Sequence, residues 1–462
     1  MRTRSADATE QLVASALSFS KDALPPEAVE VMKLAVLDLA ACCVAGSTDD
    51  GARLVADWAS ETSRGDAIIF GTSKRASPAL AALANGTSGH VLDFDDVSVR
   101  MIHPSSTLVP ALLAAGASDR VSGASLLNGY LAGFEVQARL CRELNPEHYA
   151  RGWHTTGTIG TLGASVASSV VLGLDAEMTR HALGIAASSA AGIRRNFGSM
   201  VKPLHAGHAA FHGLQSAELA ARGFTADRSV LEGVSGFLGV FSDLDRLPGV
   251  LAAFQPDAPY ELVESGIAVK RFACCGAIHS AQDAILELQA SHGFAARDVR
   301  HIECRVNKMV PNILVHHVTQ DGVEGKFSME YSVAVCLADG RAGPAQYLDV
   351  RARDPALLSL MRRIEVVVDE AMPVNLAYFP TAVMVELGDG RTLSTRVDIP
   401  KGYPERPLTV AEVVDKARTC CVPTLADEQF TELVDAVLHL DELDDVRRLA
   451  SLLAPGNSDH VR

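Results

Sequence analysis

The chain has no C-x-x-C pair, no G-x-G-x-x-G fingerprint, no excess of basic residues and no apolar run of 18 residues. Each absence removes a class of function. Its nine cysteines include three vicinal pairs, Cys42–Cys43, Cys274–Cys275 and Cys420–Cys421. That odd, unspaced set suits neither a disulfide framework nor a zinc or iron–sulfur site. It reads as reduced, mostly buried thiols of a cytoplasmic protein. The formal net charge of −15 argues against a nucleic-acid partner, whose phosphates need a basic face. It leaves room for a small anion held in a locally positive pocket. The most apolar helix candidate, "VMKLAVLDLAACCVAG", carries Asp38, so no membrane span is expected. The arginines of "MRTRSADATEQLV" lack a following apolar core, so no signal peptide is expected. Gly152 and Gly157 keep the spacing of a phosphate loop, but Thr158 stands where its lysine must be.

What is present is a chain of 462 residues, 48% hydrophobic and 21% charged, too long for one compact core. Helical periodicity dominates residues 1–259, with helices expected over 26–45, 77–91, 104–119, 124–141, 157–173, 176–191 and 205–222. Many are rich in Ala, Gly and Ser, which lets helices approach closely. The texture changes near residue 260. "VRHIECRVN" and "RRIEVVVDE" alternate like strands, and "TAVMVELGDGRTLSTRVDIP" reads as a hairpin around Gly388-Asp389-Gly390. With helices expected over 279–292 and 327–339, residues 260–402 form an α+β domain. Residues 403–462 turn helical again and are expected to return to the helical domain. The fold class is therefore multidomain, a large all-helical domain with a smaller α+β lid.

Several stretches carry polar residues suited to chemistry. "HVLDFDDVSVRMIHPSST" packs Asp93, Asp95 and Asp96 ahead of His103. A calcium loop fails there, because the central glycine and the acid at position 12 are missing. Asp93 and His103 can form an acid–base pair if the chain folds back, and a histidine at a helix start is biased toward its neutral form. Asp95 and Asp96 are expected to shape the loop through turn and capping hydrogen bonds. "RGWHTTGTIGTLGAS" puts His154 at the mouth of a helix whose N-terminus offers N–H groups to an anion. "KPLHAGHAAFHG" sets Lys202 before His205, His208 and His212. The three histidines could make a metal face, but no carboxylate or cysteine in the run completes a set. Lys202 can meet a substrate carboxylate or lie in solvent. His279 opens a helix after Cys274-Cys275-Gly276, and Tyr331 sits in "GKFSMEYSVAVCLADG", where core or interface is the plainer role.

Taken in order, "GHVLDFDDVSVRMIHPSSTLVPALLAAG", "GWHTTGTIGTLGAS", "GSMVKPLHAGHAA", "VKRFACCGAIHSAQDA" and "GKFSMEYSVAVCLADG" resemble the MmgE/PrpD family over roughly residues 10–450. The resemblance implies a cofactor-free, metal-independent homodimer acting on a small carboxylate from a cleft between two domains. Its dehydratase and decarboxylase branches imply a lyase; an epimerase is the alternative, and a non-catalytic carboxylate-binding protein is the alternative of another class. It implies catalytic roles for Asp93, His103 and Tyr331, and substrate binding by His154, Lys202 and His279. The family commonly continues with Thr after the two aspartates. Here Val97 stands in that place, so a substrate hydrogen bond is lost and the exact substrate is left open.

Overall fold

The computed structural model describes residues 8–118, 120–375 and 377–456. They divide into two compact units. One takes the chain up to Val91, Asp95–Ile267 and the segment from Val410 onward; the other takes Leu92–Phe94 and Ala268–Thr409.

The first unit is helical. Its elements run α1 (Ala8–Ser18), α2 (Pro26–Gly46), α3 (Asp50–Thr62), a short antiparallel pair β1 (Ala67–Ile68) and β2 (Arg75–Ala76), α4 (Pro78–Val91), α5 (Ser105–Ala115), α6 (Gly123–Leu144), the single turn α7 (Glu147–Ala150), α8 (Thr155–Val171), α9 (Ala176–Ser189) and α10 (Val201–Ala221). Local chemistry sets the ends. Pro26 opens α2 where its missing N–H costs nothing. Ser122 caps α6 by accepting from Ser125 N–H at 3.2 Å. Leu12, Ile102, Val136, Ile159, Leu162 and Leu183 belong to one buried apolar cluster that binds α1, α6, α8 and α9 together.

α4 and α10 pack with almost no side chain between them. A Cβ on Gly86 would lie 2.9 Å from the Gly207 Cα, and one on Gly207 would collide with Thr87 Oγ1 and the Leu83 carbonyl. The helices Val410–Cys421 and Asp427–Leu438 pack on α2 in the same unit. Lys416 Nζ lies 2.5 Å from Asp38 Oδ1, and both side chains are buried.

The second unit is built on a mixed sheet of β3 (Val299–Val306), β4 (Ile364–Val368), β5 (Thr381–Leu387) and β6 (Thr392–Val397), in the order β4-β3-β5-β6. β3 and β4 are parallel; β3–β5 and β5–β6 are antiparallel. Burial alternates along β5, as expected of a strand with one covered face. The helices His279–His292 and Met329–Asp339 each end on a glycine in the left-handed region, Gly293 and Gly340. The expected α+β texture and its hairpin are thus present.

Candidate functional site

The densest group of polar side chains lies in the helical unit, where one helix end and three helix beginnings meet. α4 ends at Val91 with His90 in its last turn. The chain then loops to α5. Ser98 N–H donates to the Ile102 carbonyl at 2.8 Å, and Ile102 is buried in the apolar cluster. Full burial of such a side chain is worth about 2 kcal/mol, so His103 hangs from an anchored neighbour. The opposite anchor is α8, whose Thr156 Oγ1 accepts from His103 N–H at 3.2 Å. Asp96 caps α5: Ser105 N–H donates to its Oδ1 at 3.2 Å and the Ser105 hydroxyl donates to its Oδ2. That hydroxyl also meets Tyr130 OH at 2.6 Å.

Within this frame Asp95 is fully buried and meets two imidazoles. His90 Nδ1 lies 2.9 Å from its Oδ2 and 3.0 Å from its Oδ1. His103 Nδ1 lies 3.2 Å from its Oδ2 and 2.8 Å from the Asp96 carbonyl. A backbone carbonyl only accepts, so His103 carries its hydrogen on Nδ1 and exchanges protons through Nε2. The His90 and His103 ring centroids are 4.4 Å apart, and His90 stacks on His154 at 6.0 Å. His154 is the N-cap of α8, and its Nδ1 shares one hydrogen with His205 Nδ1 at 3.0 Å. Phe197 stands edge-on to His154 at 4.9 Å, with Lys202 Nζ 5.6 Å from its ring centroid.

The charge state follows from burial. Burial pulls His90 down to about 4, with Lys202 and His103 adding to the fall and Asp95 opposing it. His154 is held well below its ordinary value, by burial first and then by His90, Lys202 and His205. Burial, His208 and Lys202 bring His205 to about 4. Burial alone would raise Asp95, but the two imidazoles hold it well below the carboxylate range. Its neighbour Asp96 goes the other way, pushed up by burial and by Asp38 and Asp95 against its Ser105 bonds. At neutral pH the site therefore sets the Asp95 carboxylate among imidazoles of which burial keeps His90, His154 and His205 neutral, faced by the ammonium of Lys202. The N-termini of α5, α8 and α10 add positive potential. This arrangement can hold an anion and move a proton.

Among the described residues His90, Asp95 and His103 are also the one grouping close enough to share a metal ion, with ligand atoms within 4.8 Å of one another. The bond to the Asp96 carbonyl puts a hydrogen on His103 Nδ1, so Nε2 is the nitrogen left to meet either a proton or a cation. The histidines of α10 do not converge as a metal face. His205 turns to His154, while His208 and His212 pair with each other at 5.8 Å.

The structure sorts the sequence candidates. His103, His154 and Lys202 fall in this one group, although the carboxylate beside His103 is Asp95 and not the expected Asp93. Asp93 sits in a left-handed turn, φ 52°, and belongs to the second unit. Lys270 Nζ donates to its carbonyl at 2.9 Å and to its Oδ1 at 3.0 Å, which engages it as half of a buried ion pair. His279, also in the second unit, is buried with Nε2 3.4 Å from the Cys274 carbonyl and its ring edge-on to Phe272. Tyr331 is fully buried, and its hydroxyl donates to the Gln346 carbonyl at 2.5 Å. His90, Asp95 and His205 were not read as site residues. The signal available for His90 was its spacing: one helical turn before the acidic cluster, it shares the loop with His103.

Two family descriptions match the chain: the MmgE/PrpD N-terminal domain over residues 10–248 and the MmgE/PrpD C-terminal domain over residues 272–440. The chain is 30% identical to cis-aconitate decarboxylase of Homo sapiens over 397 residues, 82% of this chain and 80% of the relative. It is 26% identical to cis-aconitate decarboxylase of Aspergillus terreus over 476 residues, 96% and 95% of the two chains. It is 27% identical to the cis-aconitate decarboxylase-like protein oryM of Aspergillus oryzae over 461 residues, 93% and 94%.

Proposed function

On the premise that the chain belongs to the MmgE/PrpD family, we propose that it is a lyase acting at a carbon next to a carboxylate of a small di- or tricarboxylate. Decarboxylation of a cis-aconitate-like substrate is the first reading, because relatives at 26% and 30% identity bear that name. The observation that carries the reading is the pinned Nδ1–H of His103 beside a buried carboxylate, which leaves Nε2 to deliver or remove a proton at carbon.

In decarboxylation the bond to the departing carboxylate breaks and CO₂ leaves. The electron pair stays on carbon and spreads onto the neighbouring carboxylate. His103 in its imidazolium form then gives the Nε2 proton to that carbon. Lys202 and the helix N-termini stabilise the developing dianion. When the proton shared with His154 resides on His205, His154 offers Nε2–H to a carboxylate oxygen. From the family pattern, His279 is assigned to a substrate carboxylate and Tyr331 to the leaving group. Asp93 enters as the partner of Lys270. No metal or organic cofactor has a part in these steps.

The deciding experiment incubates the protein with cis-aconitate, 2-methylcitrate, citrate and iminodisuccinate in D₂O and follows products by NMR. Release of CO₂ with one deuterium gained at carbon supports the first reading. Loss of water assigns a dehydratase. Deuterium exchange into intact substrate assigns an epimerase. Binding with no product would leave a carboxylate-binding protein. A homodimer, the family expectation, is checked by light scattering on the eluting protein.

A further inference from the structure

We propose that His90 is a second acid–base residue of this site, and that Asp95 is the positioning residue that sets the hydrogen-bonding form of both His90 and His103. The inference rests on the carboxylate-lyase reading above. His90 is buried, and both oxygens of Asp95 lie within 3.0 Å of its Nδ1. An ionised carboxylate accepts only, so Nδ1 carries the hydrogen and Nε2 the lone pair. That Nε2 is enclosed and has no hydrogen-bond partner among the described residues. Buried polar atoms are almost always paired, and an open one calls for an explanation, of which a catalytic role fits a lone pair placed between His103 and His154. A lone pair in that position takes a proton from carbon or accepts the O–H of a substrate hydroxyl or water.

Four groups surround the ring: Asp95 at its Nδ1 edge, His103 at 4.4 Å, His154 at 6.0 Å, and Lys202, whose charge opposes a proton on it. Two rings 4.4 Å apart beside one carboxylate do not both become cations. The trio therefore holds at most one proton beyond the two Nδ1 hydrogens, and the Nε2 that carries it can give it to a substrate while the other Nε2 accepts. In decarboxylation one imidazolium spends that proton on the carbon that lost CO₂, and water replaces it. In dehydration one Nε2 removes the C–H proton and the other protonates the departing hydroxyl, so that water is lost and the trio ends with the proton count it began with.

The plain rival is that His90 only clamps Asp95. His90→Asn separates the two. Its side-chain N–H keeps the place of Nδ1–H against Asp95, while Nε2 is deleted. The expected result is a fall in kcat of about 100-fold or more with KM nearly unchanged and thermal unfolding close to wild type. A variant with wild-type kcat would overturn the acid–base role. Asp95→Asn tests the positioning role in the unliganded protein by long-range ¹H–¹⁵N NMR of the imidazoles. Wild type should show hydrogen on Nδ1 of both rings. The amide replaces one accepting oxygen by an NH₂ donor, and His90 Nδ1 meets both oxygens, so His90 should move its hydrogen to Nε2, whereas His103 should keep Nδ1–H through the Asp96 carbonyl. Hydrogen on Nε2 of His90 in wild type, or no change in Asp95→Asn, would overturn it. If wild type converts none of the four carboxylates, the lyase reading fails and takes the second acid–base role with it. The NMR result still decides the role of Asp95.

Discussion

Lowering the pH from 7.5 to 5.5 is expected to cost the helical unit about 3 kcal/mol of stability. The cause is the neutral imidazole cluster. His90 is held near 4 from an ordinary 6.5, and His154 lies well below its ordinary value. Burial is the main cause in both, and the charge of Lys202 adds to it. A histidine depressed in the fold takes up its proton on unfolding. Its contribution is complete above about pH 6.5 and is lost as pH falls toward about 4. At pH 5.5 a ring that titrates at about 4 folded and about 6.5 unfolded loses about 1.4 kcal/mol. His90 and His205, both brought to about 4, together give about 3 kcal/mol. His154, held well below its ordinary value, adds in the same direction. The assay is urea unfolding followed by far-ultraviolet circular dichroism at several pH values, on wild type and His90→Asn. The variant should flatten the dependence between pH 6 and 5 by about 1.4 kcal/mol per unit, the slope of one proton. Equal stability at pH 7.5 and 5.5, or parallel slopes for the two proteins, would refute the neutral, enclosed cluster.

Three further outcomes are expected. His103→Ala should abolish turnover while leaving thermal unfolding within a few degrees of wild type; activity like wild type would remove His103 from the mechanism. Dialysis against a chelator should leave turnover intact, and recovery of lost activity by a divalent cation would instead assign His90, Asp95 and His103 to a metal. Lys416→Met should destabilise the helical unit by about 3–5 kcal/mol, because it removes the buried ammonium that faces the Asp38 carboxylate. Adding Asp38→Leu should restore most of that loss in denaturant unfolding, and a double variant as weak as the single would show that packing, not charge, holds the helix Val410–Cys421.

Periodicity made the long helices legible, because α2, α4, α6 and α8 carry apolar stripes or small-residue runs that only a helix buries. The hairpin β5–β6 was legible through its glycines. α1, α3 and the pair β1–β2 were not anticipated. β1 and β2 are only two residues each, too short for a period to show. At the site, residue types and family order pointed to His103, His154 and Lys202. The choice among three nearby aspartates was beyond periodicity. The fold adds that Asp93, in a left-handed turn, pairs with Lys270, and that Asp95 meets both rings. His90 looked like one more polar residue at a helix end. Only the fold reveals that its outer nitrogen is enclosed without a hydrogen-bond partner among the described residues.

The close approach of α4 and α10 gives the site a tuning point that carries no acid, base or charge. Gly86 lies one turn before His90, and Gly207 follows His205 by two residues and Lys202 by five. The hydrogen at each glycine Cα thus serves as the spacer between the carboxylate–imidazole trio and the cationic end of α10. A single methyl there would push the two helices apart, because its neighbours include the backbone of the opposite helix. Lys202 would withdraw from the trio, and the same histidines would ionise in a different field. Exchange of glycine for alanine at this crossing is therefore a way for related chains to change which anion they hold, or how readily they protonate it, with every acid, base and ammonium group of the site left in place.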